Sequence, residues 1–373
     1  MNQMKWIPAE IYLFISLYQN FHWHAFFANR GMKTYIVLIS LLYFITSCNE
    51  NNNNNDMVYG APSAKVTSTP NNQRELVGPL TYGPGVPKIV EADTVVVKMD
   101  ARHRLFQISP EVFYKAWTFG DSVPGPILRV RVGQTIKFSM TDRSADTIKN
   151  MKMFMNNAPM EYMPHSIDFH ASMVNPEDKF RSINPGETIE FTWTANYPGV
   201  FMYHCATPSV LVHMANGMIG MVIVEPADGY PTEVNQEYAI VQNEYYAKKQ
   251  GDVYVLDTAA ARLRHPSFVT FNGKAGQYVV RSLKAKAGER VRMYVLNVGP
   301  NLFSSFHVIG TILDKVWLDG NPENELVGMQ SVTLPPGGGA IVEFIMPEKG
   351  LYHFVDHSFA NAEAGAIGTI KAE

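Results

Sequence analysis

Two cysteines in 373 residues are too few for a disulfide-stapled scaffold. They are Cys48 and Cys205, and each has its own use below. Charge is sparse: 17% of residues are charged and the net charge is -3. No basic tract offers itself to nucleic acid, and there is no acidic tail. A membrane-spanning run is also missing. The apolar stretch from Tyr35 to Thr46 falls short of the roughly 20 residues that a spanning helix needs. Past residue 31 no two histidines are separated by a single residue, and no His-Cys-His run occurs. What is present is 46% hydrophobic residues, enough for packed cores. The length accommodates two domains of ordinary size.

The N-terminus reads as an export signal. Arg30 and Lys33 precede the run from Tyr35 to Thr46, and Ser47-Cys48 follows it. That is a charged region, an apolar region and a small residue at the cleavage point. Ile45-Thr46-Ser47-Cys48 resembles a bacterial lipobox, in which the cysteine becomes the lipidated first residue. Residues 1–31 precede a natural start at Met32 and are set aside, with their pair His22 and His24. Asn51 to Asn55 and the Pro/Ser/Thr/Asn-rich stretch to Gln73 cannot bury a core. The expected organisation is a signal segment over 1–48, a flexible tether over 49–75, and domains over 76–228 and 229–373.

From Ile89 onward short β runs alternate with Gly/Pro/Asp turns, as in Thr94 to Lys98, Ile127 to Val132, Thr135 to Ser139 and Thr188 to Thr192. This spacing predicts an all-β protein of Greek-key β-sandwiches. The pattern also repeats. Asn184-Pro185-Gly186 and Pro198-Gly199-Val200-Phe201 match Pro335-Pro336-Gly337 and Lys349-Gly350-Leu351-Tyr352 at identical spacing. Gly133 to Phe138 matches Gly288 to Met293, and Pro164-His165-Ser166-Ile167 matches Phe306-His307-Val308-Ile309. So long a period means two tandem copies of one sandwich, joined near Pro226 to Pro231. In the second copy Asp356 stands where Cys205 stands in the first, beside His357.

The chemistry concentrates in Tyr203 to Met218, which holds Cys205, His213 and Met218, and in Met163 to His170, which holds His165 and His170. Successive side chains of an extended strand face opposite ways. Cys205 and His204 therefore diverge, while Asp168 and His170 share a face. One group is His165, Cys205, His213 and Met218: two imidazoles, a thiolate and a weak thioether, the donor set of a blue-copper electron-transfer site. The other is His170 and His204 with Asp168 beside them. It is short of the three protein ligands of a catalytic metal centre. The third ligand must come from elsewhere, and a closed ring of subunits could bring the second domain of one chain to the first domain of the next.

These motifs make the chain resemble the copper-containing nitrite reductases over about residues 90–373. They are Met163 to His170, Tyr203-His204-Cys205, His213 to Met218, Ser304 to Gly310 and Val355-Asp356-His357. Ser304 to Gly310 resembles the outer-membrane lipoprotein branch. The resemblance implies two cupredoxin-like domains and a homotrimer that reduces nitrite to nitric oxide. It implies one type 1 copper per subunit on His165, Cys205, His213 and Met218. It also implies one type 2 copper held by His170 and His204 with His357 of the neighbouring chain. Asp168 and His307 then resemble the proton-handling residues, and Ile309 the apolar residue over the metal. A small cytochrome c or cupredoxin is the expected donor, and the periplasm, anchored to the outer membrane through Cys48, the expected location. Departures are the missing Gly-rich run after His170 and Val212 in place of a Trp before His213. The Met-rich stretch Met151, Met153, Met155, Met160 and Met163 reads as a loop packed on the ligand strand. A two-domain multicopper oxidase needs His-x-His pairs that this chain lacks, and a plain cupredoxin electron carrier has no use for His170, His204 and His357.

Overall fold

The computed structural model describes residues 76–77, 80–81, 83–146 and 163–373. Cys48, the tether and Met151 to Met160 lie outside the described residues. In the first half the strands are β1 (Leu76–Val77), β2 (Leu80–Thr81), β3 (Thr94–Ser109), β4 (Val112–Phe119), β5 (Ile127–Arg131), β6 (Thr135–Asp142), β7 (Asp168–Phe169), β8 (Thr188–Thr194), β9 (Gly199–His204) and β10 (Ile219–Glu225). The second half adds β11 (Gln236–Tyr245), β12 (Ala247–Gln250), β13 (Val253–Leu256), β14 (Phe268–Phe271), β15 (Arg281–Ala285), β16 (Arg290–Gly299), β17 (Ser304–Val308) and β18 (Leu313–Leu318). It ends with β19 (Glu325–Met329), β20 (Val332–Leu334), β21 (Gly338–Ile345), β22 (Gly350–Asp356) and β23 (Ile367–Ala372).

Alternation explains why these segments are strands. In β8, Ile189, Phe191 and Trp193 are buried while Thr188, Glu190 and Thr192 face solvent. In β3, Val95, Val97, Met99, Ala101 and His103 all turn inward. Period two with one apolar face is the mark of a half-buried strand.

The first half stacks the sheet β12-β13-β4-β3-β6-β8, with β1 on β3, against β2-β5-β10-β9-β7. The second stacks β14-β11-β16-β21-β18-β19 against β15-β23-β22-β17-β20. The pairings repeat. Parallel β3/β6 corresponds to parallel β11/β16, and parallel β5/β10 to parallel β15/β23. Antiparallel β9 between β10 and β7 corresponds to antiparallel β22 between β23 and β17. The duplicated turns match in conformation too. Gly133 and Gly288 have φ of 92° and 81°, and Gly186 and Gly337 have 93° and 82°, a region that glycine enters without a Cβ penalty.

Each sandwich has its own apolar core, and a third core joins them. Val200, Met202, Met221 and Ile223 from β9 and β10 pack with Ala239, Val241, Leu296 and Ile341. Beside it lies a buried ion network. Arg129 bonds Glu225 and Glu237, while Arg292 bonds Glu343 at 2.7 Å and Glu237 at 3.3 Å. Sheet membership does not follow the expected 228/229 division throughout. The β12-β13 hairpin joins the first sandwich, with Tyr254 paired to Tyr114 on β4. The junction is thus interlocked rather than hinged.

The second copy has no cysteine at the Cys205 position. Asp356 is fully buried there and accepts from Gln242 Nε2 (2.8 Å), Ser305 N (3.0 Å), Ser358 N (3.0 Å) and Asn361 Nδ2 (2.8 Å). Among the described residues no helix is long and apolar enough to cross a membrane.

Candidate metal centres

Cys205 follows directly on β9, whose side chains alternate between two cores. Phe201, Tyr203 and Cys205 belong to the core of the first sandwich, Val200 and Met202 to the core that joins the halves. Opposite them, Ile167 and Phe169 also enter the first core, so Asp168 and His170 turn the other way. The alternation expected from sequence therefore holds, and it places ligand-type residues on both sides of one sheet.

On the inner side the donor atoms of His165, Cys205 and His213 all lie within 4.8 Å of one another. Cys205 Sγ is 3.2 Å from His213 Nδ1, and His165 Nδ1 is 3.3 Å from the same atom. All three residues are fully buried. His165 is held by a two-way backbone bridge to Ile183. His213 sits in the last turn of the short helix Val210–Ala215. Met218 is fully buried in the same core and donates its N–H to the carbonyl of His213, while the N–H of Cys205 donates to the carbonyl of Met218. The turn before Met218 requires glycine: Gly217 has φ +114°, and a Cβ there would stand 2.5 Å from Val123 Cγ2.

Burial pushes the Cys205 thiol up, opposed by hydrogen bonds from Ser166 and Thr207. The N–H of Ser166 donates to Sγ at 3.3 Å, and Ser166 Oγ is itself fixed by the N–H of Ala206 at 2.9 Å. Desolvation lowers His165 to about 2 and His213 to about 4. Neutral imidazoles leave their lone pairs free for a metal, while the thiol proton must be displaced by it, since protons and metal compete for the same lone pairs. The buried pocket, two imidazole Nδ1 atoms, one sulfur and a nearby thioether fit copper by donor chemistry.

On the outer side Asp168, His170 and His204 form a second cluster, again within 4.8 Å. Asp168 and His204 are direct cross-strand partners. His204 Nε2 lies 3.2 Å from His170 Nε2 and 3.7 Å from Asp168 Oδ2. His204 is buried and His170 is exposed. Desolvation and then the neighbouring His204 hold His170 below the ordinary histidine value, with Asp168 opposing. Two imidazoles and a carboxylate, partly exposed, form a donor group able to hold a metal ion with a position left open.

His357 is not among the donors of this cluster. It is exposed just past β22, its ring 5.5 Å from that of His307. His307 Nδ1 donates to the carbonyl of Gln330 at 2.5 Å, and Ile309 is 42% exposed. His307 is half-buried beside the exposed His357, and the exposed Ile309 follows two residues after His307.

Two residues escaped the sequence reading. His103 Nε2 lies 2.9 Å from His165 Nε2, and Trp117, paired with His103 across β3 and β4, stacks on its ring at 5.2 Å and 16°. Trp117 also meets the edges of His165 and His213. The available signal was a histidine on the inward face of an otherwise apolar strand.

A multicopper oxidase family model matches residues 104–229. A copper-containing nitrite reductase of Neisseria gonorrhoeae is 42% identical over 303 residues, 79% of this chain and 73% of that protein. One of Cereibacter sphaeroides is 30% identical over 298 residues, 72% of this chain and 73% of that protein. The solved copper nitrite reductase of Nitrosomonas europaea superposes with a TM-score of 0.66 at 37% identity, covering 75% of this chain and 94% of that one. The duplicated sandwich is therefore cupredoxin-like, and with these relatives on both sequence and fold the chain belongs to the copper-containing nitrite reductase family.

Proposed function

We propose that this protein reduces nitrite to nitric oxide at copper, taking electrons in at a type 1 centre and delivering them to a type 2 centre. The observation that carries this is the peptide bond between His204 and Cys205. It joins a buried Cys/His/His pocket to a partly exposed Asp/His/His cluster on the opposite side of the strand. His165, Cys205, His213 and Met218 hold the first copper. His170 and His204 of one chain and His357 of its neighbour hold the second. Copper supplies one-electron transfer at both centres and Lewis acidity toward an anion's oxygen at the second.

The chain's own residues handle the protons. Reduction of nitrite to nitric oxide takes one electron and two protons and releases water. Asp168, beside His204 at the open position, accepts a hydrogen bond from a protonated substrate oxygen and returns the proton as the N–O bond breaks. His307 is the second proton carrier. Its Nδ1–H is spent on the Gln330 carbonyl, which leaves Nε2 to exchange protons. Ile309 supplies an apolar wall.

The exposed His357 and Ile309, with His307 beside His357, support a closed trimer in which one subunit's second sandwich meets the next subunit's first. The basic-apolar-small run ending at Cys48 supports a periplasmic lipoprotein anchored to the outer membrane. A cytochrome c or small cupredoxin is the electron donor to the first copper. Anaerobic incubation of copper-loaded protein with nitrite and a reduced donor should release nitric oxide. No nitric oxide from protein with both coppers bound overturns the reading.

A further inference from the structure

His103 contributes to neither donor cluster, yet it is fully buried against one of them. The hydrogen bond between the two Nε2 atoms constrains both tautomers. His165 turns Nδ1 toward Cys205 and His213. An imidazole that ligates through Nδ1 keeps its proton on Nε2. His165 Nε2–H must then donate to His103 Nε2, and the proton of His103 must sit on Nδ1. That atom is buried and, among the described residues, has no hydrogen-bond partner. A buried N–H left unmade opposes this tautomer, and the hydrogen bond that His103 Nε2 accepts from His165 is what holds it in place. Cross-strand stacking on Trp117 holds the ring flat in this position.

We propose that His103 is a positioning residue of the type 1 centre, the acceptor that orients His165 and tunes the copper potential through it. The inference rests on the reading of His165, Cys205, His213 and Met218 as a copper site. Partners of this kind are commonly carboxylates, backbone carbonyls or water. Here a second imidazole does the accepting. An acceptor on the ligand's N–H raises the ligand's basicity, which favours the more positive, oxidised metal. A neutral ring does so less strongly than a carboxylate in the same place. His103 therefore sets the potential above that of a carboxylate and below that of no acceptor at all.

The test is redox titration of the blue absorption in copper-loaded wild type, His103→Phe, His103→Gln and His103→Glu. Phe keeps the stack on Trp117 and removes the acceptor, so the reduction equilibrium should shift at least tenfold toward the reduced form, about 59 mV for one electron. Gln keeps an acceptor and should stay within threefold of wild type. Glu should shift the equilibrium tenfold the other way. Equal potentials in all four proteins overturn the proposal, and so do equal shifts in Phe and Gln, which would make the role one of packing. If Phe does not fold, the comparison of Gln with Glu decides alone, and equal potentials there overturn the proposal. Absence of a blue centre in copper-loaded wild type would instead sink the site reading on which this rests.

Discussion

His204 Nδ1 donates to the carbonyl oxygen of Cys205 at 2.9 Å. A carbonyl only accepts, so the proton of this imidazole is fixed on Nδ1 and its lone pair on Nε2. That lone pair points at His170 Nε2 and Asp168. The residue that carries the thiol thus also sets which nitrogen of its neighbour is free to bind a metal. Local backbone geometry prepares the outer cluster before any ion arrives.

Asp168 touches the outer cluster only. Asp168→Asn keeps the shape and removes the proton acceptor. Blue absorption and copper content should be unchanged, while turnover falls by about 10²–10⁴, the usual range for a lost general acid–base. Metal analysis with stopped-flow kinetics checks this. Loss of the blue band would show that Asp168 supports the inner site instead.

His357 lies away from the cluster within one chain. His357→Ala should halve the copper bound per subunit while leaving the blue absorption intact. Co-expressing His357→Ala with His170→Ala chains should restore a fraction of active sites in mixed trimers, because some interfaces then draw all ligands from intact positions. Activity that never exceeds the two parents' would refute a shared site.

The metal-free protein should be acid-labile. The folded values of His165, His103 and His213, about 2, about 3 and about 4, are set first by desolvation and lie below the ordinary 6.5. Between about pH 2 and 6.5 the unfolded chain binds more protons than the folded one. Stability contributed by these groups is therefore complete above pH 6.5 and falls as pH falls through that window. Thermal melts of the apoprotein from pH 7.5 to 4 should show a declining Tm. His103→Phe should make the decline shallower, since it removes one of the three groups.

Arg129 is 11% exposed and Glu225 9%, so their pair is largely out of water. Arg129→Met leaves Glu225 and Glu237 without their shared cation. Breaking a buried pair from one side costs about 3–5 kcal/mol. Urea unfolding should register that loss as a lower midpoint. A change below 1 kcal/mol would mean that water already reaches the network.

Much of this was legible in the chain because strand alternation carries it. The opposed facing of His204 and Cys205, and the shared facing of Asp168 and His170, follow from period two alone. The repeat was visible in its glycines because a left-handed turn tolerates little else. Long-range partners were not legible. His103 is 62 residues from His165, and only the β3/β4 register tells which ring it meets. The β12-β13 hairpin looked like part of the second domain because pairing with β4 leaves no trace in its own sequence. Nothing in the chain marks Arg129, Glu237 and Arg292 as partners; only the packing of the two halves brings them together.

Asp356 gives the second sandwich a different relation to copper supply. Four protein donors fill the place that Cys205 occupies in the first copy, so that half closes its core with hydrogen bonds and needs no ion to do so. A shortage of copper would therefore leave the packing of that half untouched.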